Sequence, residues 1–197
     1  MSWRHALLGA ITTLRFIGVM SAGAEPLTPN AAYVRDCLIA AGNAHGEPAA
    51  LLVILLNVEG GRMGAVSPNT NGTVDIGPMQ VNDIWVSKIA AHWATSAHAA
   101  YLALRDNFCA NVEAGAWILR ISLDEARGDL WEGVGFYHSH DPDHKRTYLA
   151  SVLKQALGLK EEAARARSLA SPAPSAPVRT APQRLALAPV HETPRDN

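Results

Sequence analysis

The sequence predicts a mainly α-helical domain with one short segment at each end that differs in composition. Through the middle of the chain apolar residues recur at three- and four-residue spacing, and glycine, asparagine and proline interrupt them where helices would end. Only the region near Asn71-Gly72 is typical of a turn or small hairpin. At 197 residues, 48% of them hydrophobic, the chain is long enough for one such domain with flanking segments.

Residues 1–24 have the pattern of a signal peptide. Arg4 and His5 precede an apolar stretch, and the small residues Ala22 and Ala24 satisfy the A-x-A rule, which predicts cleavage after Ala24 and export. Arg15 interrupts the apolar stretch, so a misassigned start codon and an uncleaved N-terminal anchor are the alternative interpretations.

The predicted helices follow in order along residues 25–164. The first, AAYVRDCLIAAGNAHG, begins after a cap at Asn30 and ends at Gly42-Asn43. The second, AALLVILLNVE, starts after Pro48, is stopped by Gly60-Gly61, and is too short to cross a bilayer, which favours a buried core helix. The remaining candidates are MQVNDIWVSKIAAHWA, HAAYLALRD, NVEAGAWILRI, DLWEGVGFYHS and KRTYLASVLKQAL.

Residues 165–197 are predicted to form a disordered tail, because half of the 12 prolines fall there among Ala, Ser, Arg and Thr. Such a tail is either a spacer through an envelope layer or a tolerated extension. The two cysteines, Cys37 and Cys109, suit an oxidising compartment, where a disulfide closing so long a loop would contribute about 4 kcal/mol. The alternative is two separate buried thiols.

Glu59 is the first candidate for chemistry. In a helix Leu51, Leu55 and Glu59 share one face, so the carboxyl group belongs to an apolar surface that raises its pKa. The negative end of the helix dipole acts in the same direction. A carboxyl group still protonated near neutral pH can act as a general acid, and Gly60 and Gly61 leave room beside it for a large substrate. The alternative interpretation is a solvated glutamate at a helix end.

Three segments, which together contain four motifs, carry a resemblance to a known family. ILLNVEGGRMGAVSPNTNGTVDIGPMQVN resembles the signature of lytic transglycosylases of the soluble-lytic-transglycosylase type, which have a lysozyme-like fold. DNFCANVEAGAWIL and GFYHSHDPDHKRTYLASV resemble the later motifs, and all four occur in the family order over about residues 33 to 155. Two positions depart from the pattern: Gly60 stands where Ser is usual, and His138 where Asn is usual.

The resemblance implies cleavage of peptidoglycan glycan strands between N-acetylmuramic acid and N-acetylglucosamine, with a 1,6-anhydromuramic product and no cofactor. Glu59 would be the catalytic acid and then the base, while the substrate's acetamido oxygen attacks the anomeric carbon. By the same resemblance the substrate would be bound by Gln80, Tyr137, His138 and Tyr148, Met79 would shape the cleft, and Asn82 would hold the turn after it. Asp75, the nearest second acid in sequence, is predicted to stabilise a turn.

Two further segments carry side chains of the kind that bind metal ions. HSHDPDH offers metal-ligand side chains, but it overlaps the fourth motif and is predicted to be a polar loop, so no metal site is predicted. A calcium loop in SPNTNGTVDIGP fails, because Pro78 stands where a bidentate Glu is required. A muramidase-type hydrolase and a weakly active peptidoglycan-binding scaffold remain as alternative functions.

The expected surroundings follow from the same reasoning. The formal charge of −1 gives no strong attraction to nucleic acid. A small exported domain of this family would lie in the periplasm or cell envelope, without a stable membrane span in its mature form. There it would open the wall for a conjugative type IV secretion system or a related machine.

Overall fold

A computed structural model describes residues 30–170, and over this range the chain is mainly helical with one small sheet, which confirms the prediction of a mainly α-helical domain. The predicted signal peptide and residues 171–197 of the predicted tail lie outside the described residues. The helices are α1 (Ala31–His45), α2 (Ala49–Glu59), α3 (Val86–His92), α4 (Ala97–Asp106), α5 (Phe108–Glu125), α6 (Leu130–His138) and α7 (Pro142–Ala170). The strands are β1 (Val66–Pro68), β2 (Val74–Ile76) and β3 (Val81–Asn82), and a 3-10 helix covers Asp83–Trp85.

The first two helices begin and end close to their predicted bounds. Asn30 caps α1 by accepting a hydrogen bond from the Tyr33 backbone N–H at 2.9 Å. The helix does not end at Gly42-Asn43, however: it continues to His45 and ends at Gly46, which has a left-handed backbone. Gly42 serves close packing instead, because a Cβ there would lie 2.5 Å from the Glu47 carbonyl oxygen.

The predicted hairpin near Asn71-Gly72 connects β1 and β2, and β3 continues the antiparallel sheet in the order β1-β2-β3. The third strand corrects the prediction of one helix over MQVNDIWVSKIAAHWA. Gln80 has a positive φ of 46°, which a helix cannot contain, and Asn82 accepts from the Ile84 backbone N–H to start the 3-10 helix. Only Val86–His92 of that stretch is α-helical.

Helix α5 forms the centre of the core and packs against α1, α4 and α6. Cys37 on α1 and Cys109 on α5 form a disulfide, with their Cα atoms 4.9 Å apart. The core side chains that are fully buried include Leu52, Leu55, Ile76, Met79, Ile89, Leu104, Val112 and Leu119. Because α2 contributes Leu52 and Leu55 to this core, its position is fixed up to its last residue, Glu59.

Helix α7 runs from Pro142 to Ala170, past the predicted tail boundary at residue 164. The first turns carry the buried residues Tyr148 and Val152, whereas every residue from Lys160 to Ala170 is exposed. The helix continues past the boundary because prolines are absent until Pro172 and the segment EEAARARSLA is rich in good helix formers.

Within residues 30–170 no single helix combines the length and apolarity needed to cross a membrane. Helices α1 and α2 meet these criteria only as a pair, and they are bent by 117° relative to each other.

Candidate active site

Glu59 is the last residue of α2, and the backbone after it turns sharply toward the sheet. Gly60 adopts a left-handed conformation with φ of 62° and donates its N–H to the Leu56 carbonyl, which explains glycine at this position. Gly61 then lies directly against the turn Gly77–Gln80: a Cβ on Gly61 would lie 2.5 Å from the Gln80 Nε2 and 2.9 Å from the Pro78 carbonyl. The two glycines therefore bring the carboxyl-bearing end of α2 to this turn.

The environment of Glu59 raises the pKa of its carboxyl group, so this group keeps its proton at a higher pH than an ordinary glutamic acid does. Burial raises the pKa of Glu59 from an ordinary value of 4.5 to about 7. A hydrogen bond from the Tyr148 hydroxyl to Oε1, 2.6 Å long, opposes this rise because it favours the carboxylate, while the nearby charge of Asp75 adds to it. Glu59 can thus hold or release a proton near neutral pH.

The carboxyl group opens into a pocket of about 300 Å³, called here the Glu59 pocket. Its wall is formed by the end of α2, the end of α6 and the first turns of α7, through Val58, Glu59, His138, His144, Thr147, Tyr148 and Ser151. This volume is at the lower end of the usual range for small-molecule sites. Of the four predicted substrate-binding residues, His138 and Tyr148 belong to this wall, whereas Gln80 and Tyr137 do not.

His144, Thr147 and Ser151 were not predicted as site residues. Counted from His144, Thr147, Tyr148 and Ser151 lie at i+3, i+4 and i+7, so all four share one face of α7 and this helical spacing could have identified them. The sequence interpretation began this helix at Lys145 and assigned His144 to a polar loop. Helix α7 actually begins at Pro142, where proline is well tolerated in a first turn.

His138 and Tyr148 form a stacked pair at the pocket wall, with parallel rings whose centroids are 4.3 Å apart. Partial burial lowers the pKa of His138, and the neighbouring His144 acts in the same direction. Burial raises the pKa of Tyr148 well above its ordinary value, and the adjacent Glu59 adds to this rise, so Tyr148 remains a hydroxyl donor. The stack holds that hydroxyl group toward Glu59.

Tyr137 and Gln80 lie behind the pocket wall and hold the turn. The Tyr137 hydroxyl donates to the Met79 carbonyl at 3.2 Å, and burial raises the Tyr137 pKa well above its ordinary value. The Gln80 Nε2 donates to the Gly77 carbonyl at 2.8 Å. Met79 is fully buried, so its side chain forms no part of the cleft surface and can shape the cleft only through the packing of its turn.

Asn111, fully buried on α5, anchors the same turn. Its Oδ1 accepts from the Met79 backbone N–H at 2.7 Å, and its Nδ2 donates to the carbonyls of Ile76 and Leu104, each at 2.9 Å. Gly115, one turn further along α5, leaves room for Met79: a Cβ there would meet the Met79 side chain at 3.0 Å. Helix α5 thereby fixes the Gly77–Gln80 turn in place.

Asn82 and Asp75 connect the sheet to the site. The Asn82 Nδ2 donates to Asp75 Oδ1 at 2.7 Å and to Thr73 Oγ1 at 2.9 Å, while Asp75 and Asn82 pair across β2 and β3. Asn82 thus connects β3 to β2, the two strands on either side of the Gly77–Gln80 turn. Asp75 lies within β2 rather than in a turn, and its charge also reaches Glu59, Tyr137 and His138.

We expect Tyr148→Phe to move the pH dependence of any reaction that needs protonated Glu59. Without the Tyr148 hydrogen bond, which favours the carboxylate, the Glu59 pKa rises further above 7, and the alkaline limb of that reaction's rate moves to higher pH. The maximal rate falls roughly ten- to a hundredfold, because a hydrogen bond to a charged group is lost. Initial rates measured between pH 5 and 9 test this.

Tyr137→Phe is the matched variant, because its hydroxyl bonds to the Met79 carbonyl rather than to Glu59. Its alkaline limb should remain at the wild-type pH. Equal shifts in both variants would contradict the assigned role of the Tyr148 hydroxyl.

Comparison with protein-family models and with curated proteins finds no match for this chain.

Proposed function

We propose that the chain is a lytic transglycosylase with a lysozyme-like domain that cleaves peptidoglycan glycan strands. The observation that carries the proposal is a single carboxyl group, Glu59, with a pKa near 7, in the wall of a pocket and held by a tyrosine hydroxyl. The four motifs in their family order supply the substrate class. The mainly helical fold with a small sheet is compatible with the proposed family fold.

In the first step, protonated Glu59 donates its proton to the glycosidic oxygen between N-acetylmuramic acid and N-acetylglucosamine, and the C–O bond breaks. The acetamido oxygen of the muramic residue attacks the anomeric carbon, so the protein supplies no nucleophile. Glu59, now a carboxylate, removes the proton from the C6 hydroxyl, and the C6 oxygen attacks the anomeric carbon. This attack displaces the acetamido oxygen, which restores the N-acetyl group, and closes the 1,6-anhydro ring. The acid is regenerated and no water is consumed.

Two properties of the site support this cycle. A pKa of about 7 allows Glu59 to serve as acid and then as base at neutral pH. The Tyr148 hydroxyl, which stabilises the carboxylate, keeps Oε1 in place after the proton has left.

A muramidase-type hydrolase is the second candidate, because the charge of Asp75 acts on Glu59 and a second carboxylate is what two-carboxylate glycosidases use. In that reaction water attacks in place of the C6 hydroxyl. Asp75→Asn would then reduce cleavage as severely as loss of Glu59, whereas a transglycosylase keeps most of its activity in this variant.

Digestion of purified sacculi in ¹⁸O-labelled water distinguishes these functions. A transglycosylase releases 1,6-anhydromuramic ends without label, as detected by mass spectrometry of the fragments. Labelled reducing ends would identify a hydrolase. Absence of any new ends would support a peptidoglycan-binding scaffold.

The proposed setting is the periplasm or cell envelope, reached through the predicted N-terminal signal. There the enzyme would open glycan strands locally for a conjugative type IV secretion system or a related envelope-spanning machine. The small domain supports this role, because the described residues contain no separate wall-binding module beside it.

A further inference from the structure

Three metal-ligand side chains converge away from the Glu59 pocket. His45 is the last residue of α1, His92 is the last residue of α3, and Glu113 lies on α5. The Nε2 atoms of His45 and His92 lie 2.7 and 3.1 Å from the same atom, Glu113 Oε1. All three ligand atoms lie within 4.8 Å of one another.

We propose that this group, called here the His45–His92–Glu113 cluster, binds a zinc ion. Two imidazole nitrogens and one carboxylate oxygen are donors that zinc prefers, and three protein ligands leave a fourth position for water. Zinc ligands at tetrahedral angles lie about 3.3 Å apart, as follows from bond lengths of about 2.0–2.1 Å. The observed separations of 2.7 and 3.1 Å open to that value through small side-chain rotations.

The surroundings of the cluster orient its ligands. The Trp93 indole N–H donates to Glu113 Oε2 at 2.6 Å, which fixes the carboxylate and leaves Oε1 as the single atom facing both histidines. The His92 ring stacks on Trp117, with a centroid distance of 4.4 Å and an interplanar angle of 7°. Such contacts to the ligand side chains restrict their orientation before a metal ion arrives.

The cluster is also partly shielded from solvent, in contrast to the other histidine–carboxylate pairs. The side chains of His45, Glu113 and His92 are 11%, 27% and 31% exposed, whereas His140 and its partner Glu125 are 61% and 52% exposed. The zinc ion would connect α1, α3 and α5, helices that carry neither Glu59 nor Tyr148. It would therefore cross-link the core rather than take part in the proposed cleavage.

The inference is tested on the full chain, prepared without a histidine tag and freed of metal with a chelator, by titration with zinc chloride alone. We expect one equivalent to bind with high affinity. At free zinc 100-fold above the dissociation constant, the melting temperature rises by about 5–10 °C. Neither readout depends on glycan cleavage.

Variants identify the ligands. His92→Phe keeps a ring to stack on Trp117 but removes Nε2, and Glu113→Gln removes the charged oxygen; both should lose the high-affinity equivalent and the thermal shift. Trp93→Phe removes the hydrogen bond to Oε2 and should weaken zinc binding 10- to 100-fold. His140→Ala, in the exposed pair, should bind zinc as the wild type does.

Circular dichroism without zinc establishes whether each variant is folded. Because two different ligands are substituted, the test still works if one of the two variants does not fold. The proposal is overturned if the wild type shows no thermal shift, or if folded His92→Phe and Glu113→Gln proteins bind zinc unchanged. It is also overturned if His140→Ala abolishes binding, because the site would then be the segment His138–His144.

Discussion

Glu59→Gln is expected to reduce glycan cleavage by a factor of about 10² to 10⁴, the usual contribution of a positioned general acid. Glutamine preserves the size of the side chain and can still accept the hydrogen bond from Tyr148, but it cannot donate a proton to a leaving oxygen. Cleavage by the wild type should itself fall as the pH rises through about 7, because Glu59 loses its proton there. Rates on isolated sacculi, measured as release of soluble fragments, test both statements.

The same substitution should change the pH dependence of stability. The pKa of Glu59 in the folded protein, about 7, is above its ordinary value of 4.5, so the folded state binds this proton more tightly. The resulting stabilisation is fully present below pH 4.5 and is lost as the pH rises through 7. Since one pKa unit corresponds to about 1.4 kcal/mol and the site is partly solvated, the loss is about 1–3 kcal/mol. Glu59→Gln should lack this component and melt higher than the wild type at pH 8.

Glu161→Gln is the matched control, because this exposed acid on α7 pairs only with Arg165 in the next turn. It should retain wild-type cleavage and pH dependence. If Glu59→Gln kept most of the turnover, the catalytic assignment would be wrong. If its stability tracked that of the wild type from pH 5 to 8, the burial of a neutral carboxyl group would be wrong.

Asn111→Leu is expected to destabilise the domain by about 3–5 kcal/mol. Leucine fills a similar volume but leaves the Met79 N–H and the carbonyls of Ile76 and Leu104 without their buried partner. Each unsatisfied buried group costs about 1–3 kcal/mol. Urea unfolding at pH 7 should show a lower midpoint with an unchanged slope. Under the proposed function, residual folded protein should also cleave slowly, because the Gly77–Gln80 turn is no longer held.

Asn107→Ala provides the comparison on the same helix. Asn107 is exposed and caps α5 by accepting from the Ala110 backbone N–H at 3.1 Å, so its loss should cost only about 1 kcal/mol. A loss in Asn111→Leu no greater than in Asn107→Ala would show that the buried amide contributes little to the fold.

The helices whose apolar spacing is regular could be predicted from the sequence, as α2 shows: AALLVILLNVE coincides with Ala49–Glu59. The conformation of Met79–Asn82 could not be predicted from the sequence. Its apolar residues are compatible with a helix, and only tertiary contacts impose a different backbone conformation. The positive φ of Gln80 is maintained by its bond to Gly77 and by Asn111, which lies more than 30 positions away in sequence. Similarly, Gly42 is a residue that predicts the end of a helix, whereas in the structure it allows close packing within a continuing helix.

The features of the candidate site that depend on residues close together in sequence could be predicted. The apolar face before Glu59 indicated a raised pKa, and burial is indeed the first cause of the rise. The partner of the carboxyl group was not predictable from spacing, since Tyr148 lies 89 positions further along the chain. The His45–His92–Glu113 cluster could not be predicted from the sequence either, because its three residues are far apart in sequence and no two of them belong to one motif.

The exposed end of α7 has a practical consequence. Since all residues from Lys160 to Ala170 are exposed, this part of the helix forms an arm that extends about 15 Å at 1.5 Å per residue. A fluorescent protein or an immobilisation tag fused after Ala170 would be tethered at the far end of that arm. Under the proposed function, such a fusion should therefore leave the Glu59 pocket free to engage an insoluble polymer.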